Sequence, residues 1–251
     1  MSRPAPWTTA VLAQAGIEAR LTARRGENLL AMVGVPVALL LFFGSFVGGR
    51  GAVQTLLPGT LAIALVASGL VNLGIATAYE RGYGVLKRLG GSPLGRSGLV
   101  AAKSAVVALI ATAQVIGLVA VAVLVLGWRP GPDASVAPAA AMAAIAVTTV
   151  VGAAAFAGLG LTIAGTLRPE ATLVVANVLF LLALGLGGAL VPIGALPAPV
   201  AVIARLSPVG ALAEAFGAAL GDGTAIGQPL GILLMWAVVA VIAAGRTFRW
   251  D

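Results

Sequence analysis

Six windows of this sequence contain no charged side chain: residues 28–49, 51–79, 104–128, 134–167, 171–204 and 223–245. They are 22 to 34 residues long and make up 167 of the 251 residues. A bilayer core about 30 Å thick needs roughly 20 apolar residues at about 1.5 Å rise each, so every window can cross it as a helix. In hydrocarbon each backbone N–H and C=O needs an internal partner, and a helix supplies one within a single segment. The pattern predicts an all-α integral membrane protein with six transmembrane helices. They fall at about residues 29–48, 56–79, 103–126, 138–167, 171–191 and 229–244. Segments 1–28 and 80–103 carry most of the charge, and each is too short for a separate soluble domain. Residues 1–251 therefore read as one transmembrane domain. The polar N-terminal stretch lacks the short apolar core of a cleavable leader, so the first span is expected to act as the anchor.

The net charge of +7 is explained by where the cations fall. With the N-terminus inside, inside segments hold 12 of the 15 Lys and Arg residues, and outside segments hold only Arg50, Arg129 and Arg205. That bias predicts an N-in, C-in topology, with anionic lipid headgroups rather than nucleic acid beside the basic residues.

Composition also removes several kinds of chemistry. With no cysteine, thiolate metal sites and disulfides are excluded. With no histidine, the usual general base and the commonest metal or haem ligand are missing. No metal site, catalytic residue or cofactor is expected in this chain. The nearest approach to a phosphate-binding loop is SGLVAAKS at 97–104, where Ser97 and Ala102 stand at the two required glycines, so ATP hydrolysis by that route is excluded. The spans also lack the ionisable group that most proton-coupled carriers place near mid-membrane.

Three segments carry more than hydrophobicity. Residues 7–25 read as an interfacial helix, with an untidy projection because Glu18 and Arg25 fall on the side of Trp7 and Val11. Residues 79–89 (YERGYGVLKRL) read as an amphipathic helix, with Tyr79, Tyr83, Val85, Leu86 and Leu89 on one arc and Glu80, Arg81, Lys87 and Arg88 opposite. Gly82 and Gly84 loosen its junction with the second span, while Gly90, Gly91, Ser92 and Pro93 end it and start the next helix. Two readings stand: a basic interfacial helix, or a docking element for a soluble partner. Residues 192–228, rich in proline, alanine and glycine, read as short outer-side helices, re-entrant between spans 5 and 6. Within the spans, Asn72, Gln114 and Asn177 are the costliest polar groups to leave in lipid. They serve either as interhelical glue or as substrate-path contacts. Arg205, Glu214 and Asp222 are either solvated loop charges or an outward gate.

The stretch AYERGYGVLKRLGGSPLGRSGLVAAKSAV resembles the cytoplasmic segment between the second and third spans of ABC-2 type transporter permeases. Glu80, Arg81, Gly84, Leu86, Lys87, Arg88, Leu89 and Pro93 match that pattern, while Gly82–Tyr83 and Val85 depart from it. LPAPVAVIARLSPVGALAEAF is similar to the family's segment before the last span, with Ser207–Pro208 at the turn and Glu214 as the acidic residue. Ala215–Phe216 stands where the family often continues with arginine. The resemblance implies the membrane subunit of a bacterial plasma-membrane exporter for drug-, antibiotic- or lipid-like cargo. It implies pairing with a second permease, alike or related, and two cytoplasmic ABC ATPase subunits that bind ATP and Mg. Residues 80–103 would then hold the coupling helix, with Glu80, Arg81, Gly84, Lys87 and Arg88 as coupling residues. Other functions that fit the same spans are a membrane scaffold recruiting a cytoplasmic partner and a stand-alone secondary transporter.

Overall fold

The computed structural model describes residues 6–24, 26–47, 49–90, 94–129 and 138–247. Among them all regular structure is helical, in keeping with a membrane environment. The chain opens with α1 (Trp7–Arg24) and α2 (Gly26–Phe42), which runs into a π-helical turn at Phe43–Val47. Next come α3 (Gly49–Leu65), a π-helical segment (Val66–Asn72), α4 (Leu73–Gly82) and the short α5 (Val85–Gly90). Then follow α6 (Gly95–Leu124), α7 (Pro138–Thr166), α8 (Pro169–Leu186), α9 (Ala198–Leu206), α10 (Pro208–Ala219) and α11 (Gly227–Thr247).

Five described helices are long and apolar enough to cross a bilayer: Val53–Gly82, Gly95–Leu124, Ala139–Thr166, Pro169–Leu186 and Gly227–Thr247. The first predicted span is shorter, with its apolar part at Met32–Ser45. Helices α9 and α10 form a pair bent by 85°, where broken outer-side helices were expected. Ser207 makes that corner, since its hydroxyl donates to Ala204 O of α9 (2.6 Å) and accepts from Gly210 N of α10 (3.1 Å).

Span 2 is the axis of the bundle. Of its apolar stretch 67% is buried, against 17% for span 5 (α8), which lies at the periphery. Close packing comes from glycine. A Cβ on Gly160 of α7 would sit 2.4 Å from Gly69 O, so the two backbones can approach this closely only without a side chain there. Gly74 meets Gly160 and Gly69 meets Phe156 and Ala157, while Gly158 meets Ala240 further along. The pairings between spans 2 and 4 rise in register together, so these two spans run in the same direction.

The two populations of charge gather at opposite ends. At one end Arg81 reaches the last turn of α7, and Leu86, Leu94, Leu99, Leu161 and Ala244 form a single apolar cluster. At the other end the Trp128 indole N–H donates to Gln54 Oε1 (2.5 Å), near Arg129 and Glu214 of α10.

Several boundaries differ from expectation. The predicted helix over 79–89 is two pieces: residues 79–82 continue span 2, and only α5 stands apart. Gly84 adopts φ +73°, and its N–H bonds to Arg81 O (2.9 Å), which ends the first helix. Helix α6 begins eight residues before the predicted start at 103, which carries Lys103 more than two turns into the helix. Helix α8 stops at Leu186, short of 191, because Gly187 and Gly188 turn the chain back under α10. The predicted cap at Gly91, Ser92 and Pro93 and most of the loop after Trp128 lie outside the described residues.

Candidate functional site

The residues around span 2 build two features at the basic end, a cavity and a buried charge network. The cavity, about 660 Å³, lies between α2, span 2, α5 and α8. Its size falls in the range typical of small-molecule pockets. Asn72 and Asn177, two of the three predicted substrate-path residues, line it together with Tyr79, Glu80, Tyr83 and Phe180. Asn72 closes the π-helical segment. There Leu73 N–H reaches back to Ser68 O, and the Ser68 hydroxyl bonds to Ala64 O and Leu65 O (3.1 Å each). The widened turn displaces the helix face at this point and turns Ala67, Val71 and Asn72 toward the cavity. Asn177 donates to Leu173 O (2.8 Å) on its own helix.

Gln114 does not line the cavity. It is buried, and its amide donates to Met32 O (2.9 Å). The reason is local: Pro36 lacks the N–H that would close an α-helical bond to Met32 O four residues earlier. Gln114 from span 3 supplies the missing donor, so among the two readings of this residue the geometry favours the structural one.

The charge network centres on Lys103, a fully buried side chain at 1% exposure. Its ammonium lies 2.9 Å from Glu18 of α1 and 2.8 Å from Glu80 of α4. Gln14 also donates to Glu18 (2.9 Å). One buried cation thus holds the surface helix α1 to the end of span 2. Glu18, untidy in the helical projection, sits on the inner face of α1 because that face meets an ammonium. Sequence reasoning placed Lys103 among the flanking cations and did not single out Glu18; an acidic residue on the apolar side of an interfacial helix was the available signal.

The predicted coupling residues separate into two groups. Glu80 is held by Lys103, and Arg81 donates to Gly165 O (2.7 Å) and to Leu167 O, capping carbonyls at the end of α7. These two bind the molecule to itself. Lys87 is exposed on α5, which also carries Arg88, and Gly84 supplies the bend that sets α5 off from span 2. At the opposite end Arg205 pairs with Glu214 (3.0 Å) across the α9–α10 corner, with both groups partly exposed. Glu214 also lines a second cavity of about 560 Å³ with Asp222, Arg129 and Gln54. The predicted gate residues are therefore neighbours. Among the described residues no three acidic side chains converge on a metal position.

Fold and site together define a multi-pass α-helical membrane protein with a small-molecule-sized cavity between its spans. The model of the ABC-2 type transporter family matches residues 10–220, and the chain belongs to that family. It is a transmembrane permease component of an ABC transporter, a transport subunit whose family pairs with an ABC ATPase. Comparison with curated proteins returns no match.

Proposed function

We propose that this chain forms the translocation path of an ATP-driven exporter for hydrophobic or amphipathic compounds in the bacterial plasma membrane. Both termini and α5 face the cytoplasm, two permease subunits pair, and α5 docks on each of two ATPase subunits through Lys87 and Arg88. The observation that carries this reading is the cavity between α2, span 2 and α8, whose wall is mostly apolar and carries Asn72 and Asn177. Such a wall suits cargo that partitions into lipid and needs few polar contacts for orientation. The exposed apolar side of α8, with Leu173, Val174, Val178 and Leu182, supports a second permease or lipid against that edge. Arg205 and Glu214 serve as an outer gate, a pair that opens at little cost because both groups reach water.

The test uses inside-out vesicles containing this chain with and without its ATPase, with a neutral and a cationic fluorescent amphiphile supplied in the outside medium. ATP-dependent uptake should require both proteins, and the double variant N72L/N177L should lower it at least about tenfold, equivalent to about 1.4 kcal/mol. Uptake by the chain alone, or full uptake by the double variant, would refute the proposal.

A further inference from the structure

The cavity and the buried charge network share one residue, Glu80, and that overlap sets the charge preference of the site. Among the described residues lining the cavity, Glu80 is the only one that carries a formal charge. Its ammonium partner is not exclusive, because Lys103 lies 2.9 Å from Glu18 and 2.8 Å from Glu80. Two carboxylates around one ammonium leave a net charge of −1 on groups that are mostly buried, beside the wall to which Glu80 contributes. Two aromatic rings stand at the Glu80 end and a third lines the cavity further along. Tyr79 and Tyr83 lie with ring centroids 6.1 Å apart, and Phe180 faces the same space from α8. Aromatic faces beside an uncompensated negative charge attract an organic cation, and the attraction grows as water is excluded. The basic side chain nearest in sequence, Arg81, is turned away to the carbonyls of α7.

We infer that the cavity formed by α2, span 2 and α8 is a binding site for amphipathic organic cations. The positive centre sits between Tyr79, Tyr83 and Glu80, and the apolar body lies toward Asn72 and Phe180. This deepens the exporter reading by naming the charge class of the cargo, and it rests on the same cavity. Glu18 contributes without touching the ligand, since it takes up part of the positive charge of Lys103 that would otherwise neutralise Glu80.

The test is equilibrium binding to the purified chain in nanodiscs with three probes of nearly one shape: tetraphenylphosphonium (cation), tetraphenylmethane (neutral) and tetraphenylborate (anion). The expected order is cation tightest, with roughly tenfold preference over the neutral probe and weaker binding still for the anion. Glu80→Gln should remove most of that preference while the neutral probe binds as before. Glu18→Gln leaves the cavity wall intact and should also reduce the preference, which a purely steric role would not do. Equal binding of all three probes, or an undiminished preference in both variants, overturns the inference. So does failure of the cation to bind, and ATP-driven uptake of other amphiphiles would then leave the exporter reading standing. Cation binding without any ATP-driven uptake would support the site and refute the exporter reading.

Discussion

Replacing Lys103 with methionine tests the buried charge network directly. Methionine keeps an unbranched chain of similar length and removes only the charge and its donors. In the protein the ammonium lies 2.9 Å from Glu18 and 2.8 Å from Glu80, whose side chains are only 12% and 20% exposed. Without it the two carboxylates face each other across the vacated position. At an effective dielectric of about 20, two like charges about 5 Å apart repel by about 3 kcal/mol. Removing one partner of a buried ion pair costs about 3–5 kcal/mol in general, so both routes give the same scale. At about 2–4 °C per kcal/mol for a chain of this size, the thermal midpoint should fall by roughly 6–20 °C. The assay is thermal unfolding in detergent, read by monodispersity on size-exclusion chromatography. The triple variant E18Q/K103M/E80Q should recover most of the loss, because a neutral network of similar shape leaves no charge unpaired. If K103M melts within about 2 °C of the parent, or the triple variant is no better than K103M, the network does not hold α1 to span 2.

Two further substitutions probe the packing that shapes the cavity. Gln114→Leu strands the Met32 carbonyl and should cost about 1–3 kcal/mol, whereas Pro36→Ala in the same chain restores a backbone donor and should recover it; a double-mutant cycle of unfolding midpoints reads the coupling. Gly160→Ala forces spans 2 and 4 apart, since its Cβ would meet Gly69 O at 2.4 Å, and should lower stability by about 1–3 kcal/mol in the same melting assay, while Gly117→Ala on the open face of α6 should be neutral or stabilising.

Legibility from sequence followed the physics of each feature. The spans were readable because the cost of placing a charge in hydrocarbon writes itself as long uncharged windows. Long-range pairings leave no such trace. The bond from Gln114 to Met32 joins positions 82 residues apart, and only Pro36, by removing one donor, signalled that some distant group had to replace it. Asn72 and Asn177 were legible as expensive polar groups, but their convergence on one cavity depends on a π-helical segment with no reliable sequence signature. The coupling segment shows the same limit. A helical projection treats residues 79–89 as one rigid cylinder, so Glu80 and Lys87 look equivalent on its polar arc. Gly84, with φ +73°, divides that cylinder. On one side of the break Glu80 and Arg81 bond inward to Lys103 and to α7, and on the other Lys87 faces outward. Beyond the break α5 is also tied to the bundle directly, because Leu86 packs in the apolar cluster with Leu94, Leu99, Leu161 and Ala244. Before the break Arg81 ties span 2 to α7, and Glu80 ties it to α1 through Lys103. Glu80 thus belongs both to the cavity wall and to the ion network that holds α1, so a movement that redistributes Lys103 between Glu18 and Glu80 would change the charge beside the cavity.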